Sequence, residues 1–110
     1  MENVIVTTTE NVPGYEIKAW KGLVWATTVQ TKHIGHDLLA TLKGLAGGEI
    51  KGYQKMMNDA KAKAIEQIVM NAHDRGANGV IGLRIESAQI LPATMEVTCY
   101  GTAVTLAKKR

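Results

Sequence analysis

Residues 48–79 read GEIKGYQKMMNDAKAKAIEQIVMNAHDRGANG. Advancing 100° per residue from Ile50 places Tyr53, Met57, Ala60, Ala64, Ile68 and Ala72 on one stripe with it, and Ile65 at the edge. Lys51, Lys55, Asp59, Lys63 and Glu66 fall opposite. This spacing predicts one long amphipathic helix. Asp59 and Lys63 are four apart with the acid first, the favourable order for an exposed ion pair. Gly47 and Gly48 open the segment, and Glu49 complements the positive end of the helix dipole. Arg75-Gly76 gives a basic last turn and a glycine free to take positive φ just beyond it. From Ile50 to Arg75 such a helix runs about 39 Å. A compact chain of 110 residues has a diameter, taken from its radius of gyration, of only about 26 Å. The helix is therefore expected to span the subunit and to reach towards a neighbour.

The flanking segments read as strands. Residues 4–9 (VIVTTT) are β-branched throughout, and residues 10–14 (ENVPG) carry turn chemistry. From Tyr15 to Thr31 the chain alternates: Tyr15, Ile17, Ala19, Leu23, Trp25 and Val29 share one face, interrupted by Lys21. Fully extended, that strand would reach roughly 56 Å, too long for a compact subunit, so a bend is expected at Gly22. Residues 36–42 suggest a turn or two of helix. After the long helix, residues 78–89 form a strand whose face of Gly79, Ile81, Leu83 and Ile85 is expected to meet the helix, with Arg84 and Glu86 turned away. Leu91-Pro92-Ala93 is a turn, and residues 94–107 form the last strand, with Met95, Val97, Cys99 and Ala103 on one face. The expected fold is α+β, a single domain over residues 1–110 in the order β-β-α-β-β, with an antiparallel sheet packed on one long helix. A two-layer domain leaves one sheet face bare, and Trp20, Val24, Tyr100, Val104 and Leu106 are expected there. Met56, Ala62, Val69 and Met70 add apolar surface on the helix. Such a surplus points to burial between copies in a homo-oligomer.

Composition narrows the function. No stretch of 18 apolar residues would cross a membrane, and the start of the chain lacks the pattern of a signal peptide. The lone Cys99 fits a reducing cytoplasm. A net charge of +3 with no phenylalanine lacks the basic, aromatic-studded stripe of a nucleic-acid binder. No nucleophile elbow, phosphate loop or catalytic triad can be placed, so a non-enzymatic role is expected. The candidate metal ligands are His33, His36 and Cys99, the histidines forming His-x-x-His-Asp with Asp37. A mid-strand cysteine on an apolar face more often behaves as a small hydrophobe. Trp20 and Trp25 are candidates for stacking on a flat cofactor, although their odd separation splits them between faces unless Gly22 carries a bulge. The plainer expectation is Trp25 in the core and Trp20 at an interface.

The segments GGEIKGYQKMM, RGANGVIGLRIE and YGTAV, in this order, resemble the small bacterial YbjQ-like family, named as a "putative heavy-metal-binding domain". The resemblance runs from the second strand to Val104. It implies a ring-forming α+β subunit of dodecin-like topology, a pentamer, with a divalent metal ion or small ligand at its interfaces. A dodecin-like binder of flavin, or an enzyme with a pocket shared between subunits, are the alternatives. Two positions depart from the pattern: Lys61 stands where arginine is usual, and Gly79 where alanine is common. Lysine does not reproduce a bidentate arginine contact. Lys61 also falls inside the apolar stripe, either snorkelling to water or aimed at a neighbour's carboxylate.

Overall fold

The computed structural model describes residues 3–31 and 47–110, with helix side chains described from residue 52 onward. The expected short helix at residues 36–42 lies outside the described residues. The elements of the described residues are β1 (Ile5–Val6), β2 (Tyr15–Thr31), α1 (Gly47–Asp74), β3 (Gly79–Leu91) and β4 (Thr94–Lys108). They form an α+β arrangement of one helix on a four-stranded sheet of order β1-β3-β4-β2. The sheet is mixed, not wholly antiparallel as expected. β1 is reduced to two residues and runs parallel to β3, pairing Ile5 with Gly79 and Val6 with Val80.

The helix stripe forms as its spacing predicts. Ala60, Ala64, Ile68 and Ala72 are fully buried, with Met57 and Ile65 packed beside them. Three of those four buried side chains are alanine, so the helix axis can approach the sheet closely. Polar side chains then reach its backbone: the Thr28 hydroxyl donates to the Ala60 carbonyl at 3.0 Å, and the Cys99 thiol to the Ala64 carbonyl at 3.3 Å. At the exposed side Asp59 pairs with Lys55 at 2.9 Å, one turn before it, and not with Lys63. The helix stops in a Schellman motif. Gly76, at φ +77°, donates its N–H to the His73 carbonyl, and Ala77 donates to Ala72. Ala72 and Ala77 both lie in the core, closing the motif with an apolar contact.

Close approach of an alanine helix sets which face of each strand is buried. On β2 the helix side holds Val24 and Ala26, and the opposite side holds Leu23, Trp25 and Val29. Two expectations are thereby corrected. Val24 lies in the core, not on the second face, and Trp25 lies outside it. The indole is too large for the shallow gap over Ala60 and Ala64. On β3, Gly82 sits at φ +62° in a bulge between the Ile81 and Arg84 pairings. The extra residue turns Ile81 to the outer face while Leu83 stays under the helix.

The described residues make two separate apolar clusters. The larger lies between helix and sheet and includes Val24, Ile68, Val80, Leu83, Val97 and Cys99. The smaller lies on the outer face, where Ile81, Val104 and Leu106 are covered by Ile5, Val12, Tyr15 and Ile17. Asn78 joins the strands beside it. Its amide oxygen accepts from the Leu106 N–H, 2.6 Å between heavy atoms, and its amide nitrogen donates to the Leu106 carbonyl at 3.0 Å. Its own carbonyl accepts from Ile5 of β1. At the far end, Pro92-Ala93 links β3 to β4, and Ala93 at φ +62° after proline fits a type II turn.

The molecule is elongated, 58 × 22 × 21 Å, with a radius of gyration of 17.4 Å, against about 13 Å for a compact chain of this length. The 17-residue β2 is therefore not too long for the subunit, contrary to expectation. It still bends: the register with β4 shifts between Ile17 and Ala19 and again between Trp20 and Gly22, where φ is +91°.

Candidate functional site

The outer face of the sheet concentrates the side chains that core packing does not use. Trp20 is 66% exposed, Leu23 57%, Trp25 56% and Val29 54%. The bulge at Gly22 decides their placement. Without it, Trp20 and Trp25 would point to opposite faces. With it, Trp20 lies opposite Val104 and Trp25 opposite Tyr100, both on the outer face. These β4 partners are four residues apart, which separates the two indoles by about 13 Å along the sheet. One flat ring cannot be sandwiched between them within one chain.

The outer face continues into polar groups on β3. Arg84 lies opposite Tyr100, and the Tyr100 hydroxyl donates to Glu86 at 3.4 Å. Arg84 and Glu86 thus turn away from the helix, as their positions predict. The Arg84 guanidinium donates to the Thr8 carbonyl and holds the N-terminal segment to β3. On the helix side of β2, Asn71 donates to the Trp25 carbonyl and Arg75 to the Lys21 carbonyl, fixing the backbone of the bulged region.

Of the metal-ligand candidates, Cys99 falls among the described residues. Cys99 is fully buried against the helix and hydrogen-bonded to Ala64. Burial pushes its thiol pKa above the ordinary value, with weaker opposition from backbone hydrogen bonds at Ala26 and Cys99 itself. A neutral, sealed thiol is a poor ligand as it stands. His33 and His36 lie outside the described residues. Among the described residues no three of His, Cys, Asp or Glu converge. Lys61 is half-buried at the stripe edge and makes no ion pair with the described carboxylates. No helix of the described residues is long and apolar enough to cross a membrane.

Sequence spacing located the helix and both tryptophans as unusual, but it placed Trp25 on the wrong side. The missed signal was the alanine content of the helix stripe, which requires small partners such as Val24 and Ala26.

Comparison with known proteins agrees with the layout. A family profile described as "Putative heavy-metal-binding" matches residues 4–107. A UPF0145 protein of Halalkalibacterium halodurans is 47% identical over 106 residues, covering 96% of this chain and 100% of that protein. A UPF0145 protein of Thermotoga maritima is 47% identical over 105 residues, covering 96% of this chain and 99% of its own length. In fold, the chain is similar to a crystal structure of a DUF74-family protein of unknown function from Pediococcus pentosaceus. The TM-score is 0.67 at 22% identity, over 94% of this chain and 98% of that one. The description of the family names a ligand class and no reaction. With near-complete coverage at this identity, the chain belongs to the UPF0145 family, the YbjQ family of the matching profile.

Proposed function

We propose that the protein is a non-enzymatic homo-oligomer, a small ring of the pentameric kind that the family resemblance implies, binding a metal ion or small ligand where its subunits meet. The observation that carries this reading is the uncovered apolar strip of Leu23, Trp25 and Val29 on the outer face of β2. The Trp25 indole alone leaves on the order of 100 Å² of exposed aromatic surface. Ile90 and Leu91 extend the exposed apolar surface to the hairpin tip. A patch of that size on a soluble chain marks an interface, and a second copy is the partner always at hand. The elongated shape adds to this: a thin two-layer subunit has more surface than its own core can bury. A reducing compartment such as the cytoplasm suits the lone reduced thiol.

Heavy-metal binding, the ligand class in the family description, draws its donors in this reading from more than one copy, with His33 and His36 as the candidates. Native mass spectrometry of protein purified without a histidine tag tests assembly and ligand together. The expected spectrum is a multiple of the 11.9 kDa chain, about fivefold, with added mass from a bound ion that is lost in His33→Ala/His36→Ala. A monomer mass would sink the ring; a bare ring after incubation with zinc or copper would sink the metal arm.

A second reading, a binder of a flat aromatic cofactor such as flavin, is favoured by one observation: both indoles emerge on the same face. At about 13 Å apart they could stack on one ring only if they came from different copies. Tryptophan fluorescence unchanged by flavin at high micromolar concentration would end it.

A further inference from the structure

A cleft of about 350 Å³ opens on the outer face, beside the smaller apolar cluster and away from Leu23, Trp25 and Val29. It is lined by Ile17, Trp20, Ile81 and Thr102 of the strands, and by Glu10 and Asn11 of the exposed loop after β1, which forms its rim. Its volume falls in the range of small-ligand sites. We propose that this cleft binds a small organic cation with an apolar body, an aromatic or methylated ammonium ion.

Three features support that chemistry. First, Glu10 is the one ionisable side chain among the described residues that line the cleft. A lone carboxylate repels anions, is too few ligands to hold a metal ion, and loses hydration without return against a neutral ligand. An ammonium group neutralises it. Second, the largest wall is an indole, the side chain whose face best attracts a cation. The indole and the two isoleucines also accept an apolar body, leaving Asn11 and Thr102 to hydrogen-bond a substituent. Third, the rim is built in advance. The loop carrying Glu10 is tied to the β3 bulge, because Gly82 donates to the Thr9 carbonyl at 2.8 Å and Leu83 to the Thr7 carbonyl at 3.0 Å. Thr9 Oγ1 donates to the Asn11 carbonyl at 2.6 Å, and Tyr15 N–H to the Val12 carbonyl at 3.0 Å. Binding therefore orders little chain, which preserves affinity. The bulge at Gly22 has a role here as well, since it is what turns Trp20 to this face.

The site lies within one subunit and does not depend on assembly. Its test is calorimetric titration of the full chain with benzyltrimethylammonium, with benzyl alcohol and benzoate as neutral and anionic controls. The expected result is saturable binding of one cation per chain, weakened about tenfold by Glu10→Gln and about fivefold by Trp20→Leu. Both side chains are exposed, so neither variant should lose its fold, and a circular-dichroism melt checks this. No saturation by about 10 mM cation, equal affinity for benzyl alcohol, or unchanged affinity in Glu10→Gln would each overturn the proposal. Mass measured on the same samples keeps the two readings apart. Binding by a monomer breaks only the ring, and a ring that ignores the cation breaks only this site.

Discussion

The two ends of the outer sheet face are finished differently. Near the chain termini, Ile81, Val104 and Leu106 are buried by the chain's own β1 and the residues up to Ile17. Towards the hairpin tip, Leu23, Trp25 and Val29 project from the same face of the same strands, and nothing among the described residues covers them. On the helix side β2 and β4 bury small side chains, Val24, Ala26, Val97, Cys99 and Ala103. Core packing alone explains the first end and leaves the second unexplained. What distinguishes the bare end is that its side chains are large where the monomer gives them no partner.

Filling the helix side should have the largest effect. Ala64→Leu forces a side chain into a gap set by the Ala64 carbonyl's contact with Cys99. It is expected to cost about 3 kcal/mol, read as a lower denaturation midpoint. A cost near zero would mean that the helix can lift away, and the argument from small partners would fail. Next comes the covered end. Asn78→Ala removes both hydrogen bonds to Leu106 and is expected to cost about 2 kcal/mol, with β1 the first element to lose amide-exchange protection. Equal protection loss at the hairpin tip would erase the distinction between the ends.

Much of the fold was legible in the residues from 48 to 79. An apolar stripe at helical spacing and a basic turn before glycine are local signals, and Ala60, Ala64, Ile68, Ala72 and Gly76 all behave as their spacing requires. The strand faces were less legible because burial is relative to what lies opposite. Alternation groups Leu23, Trp25 and Val29 correctly, but hydrophobicity assigns the larger set to the core, whereas the alanine helix admits only the smaller. The bulge at Gly22 brought Trp20 and Trp25 to one face, and the bulge at Gly82 turned Ile81 to the outer face. Glycine hints at such places without fixing the register. The cleft was not legible at all, since Glu10, Trp20 and Ile81 meet only through the parallel placement of the N-terminal segment beside β3.

At the bare end, Trp25→Ser should change monomer stability by no more than about 0.5 kcal/mol, as for other exposed positions. Measured below the dissociation concentration, a loss above about 2 kcal/mol would place the indole in the monomer's own structure. The smallest effect concerns pH. Cys99 has its pKa raised in the folded state, so its contribution is complete below the ordinary thiol pKa and is lost as pH rises towards the folded value. Stability should therefore decline gently in the alkaline range, and Cys99→Ala should flatten that decline while lowering overall stability. An unchanged alkaline slope would mean that Cys99 reaches solvent.

The central claim, that the bare outer face of β2 is where copies meet, is tested most directly by light scattering on the native chain beside Leu23→Glu/Trp25→Glu. The native chain is predicted to scatter as a multiple of 11.9 kDa and the double variant to fall to the single-chain mass while keeping its helical circular dichroism. A native chain that scatters as one copy, or a variant that stays fully assembled, would contradict it.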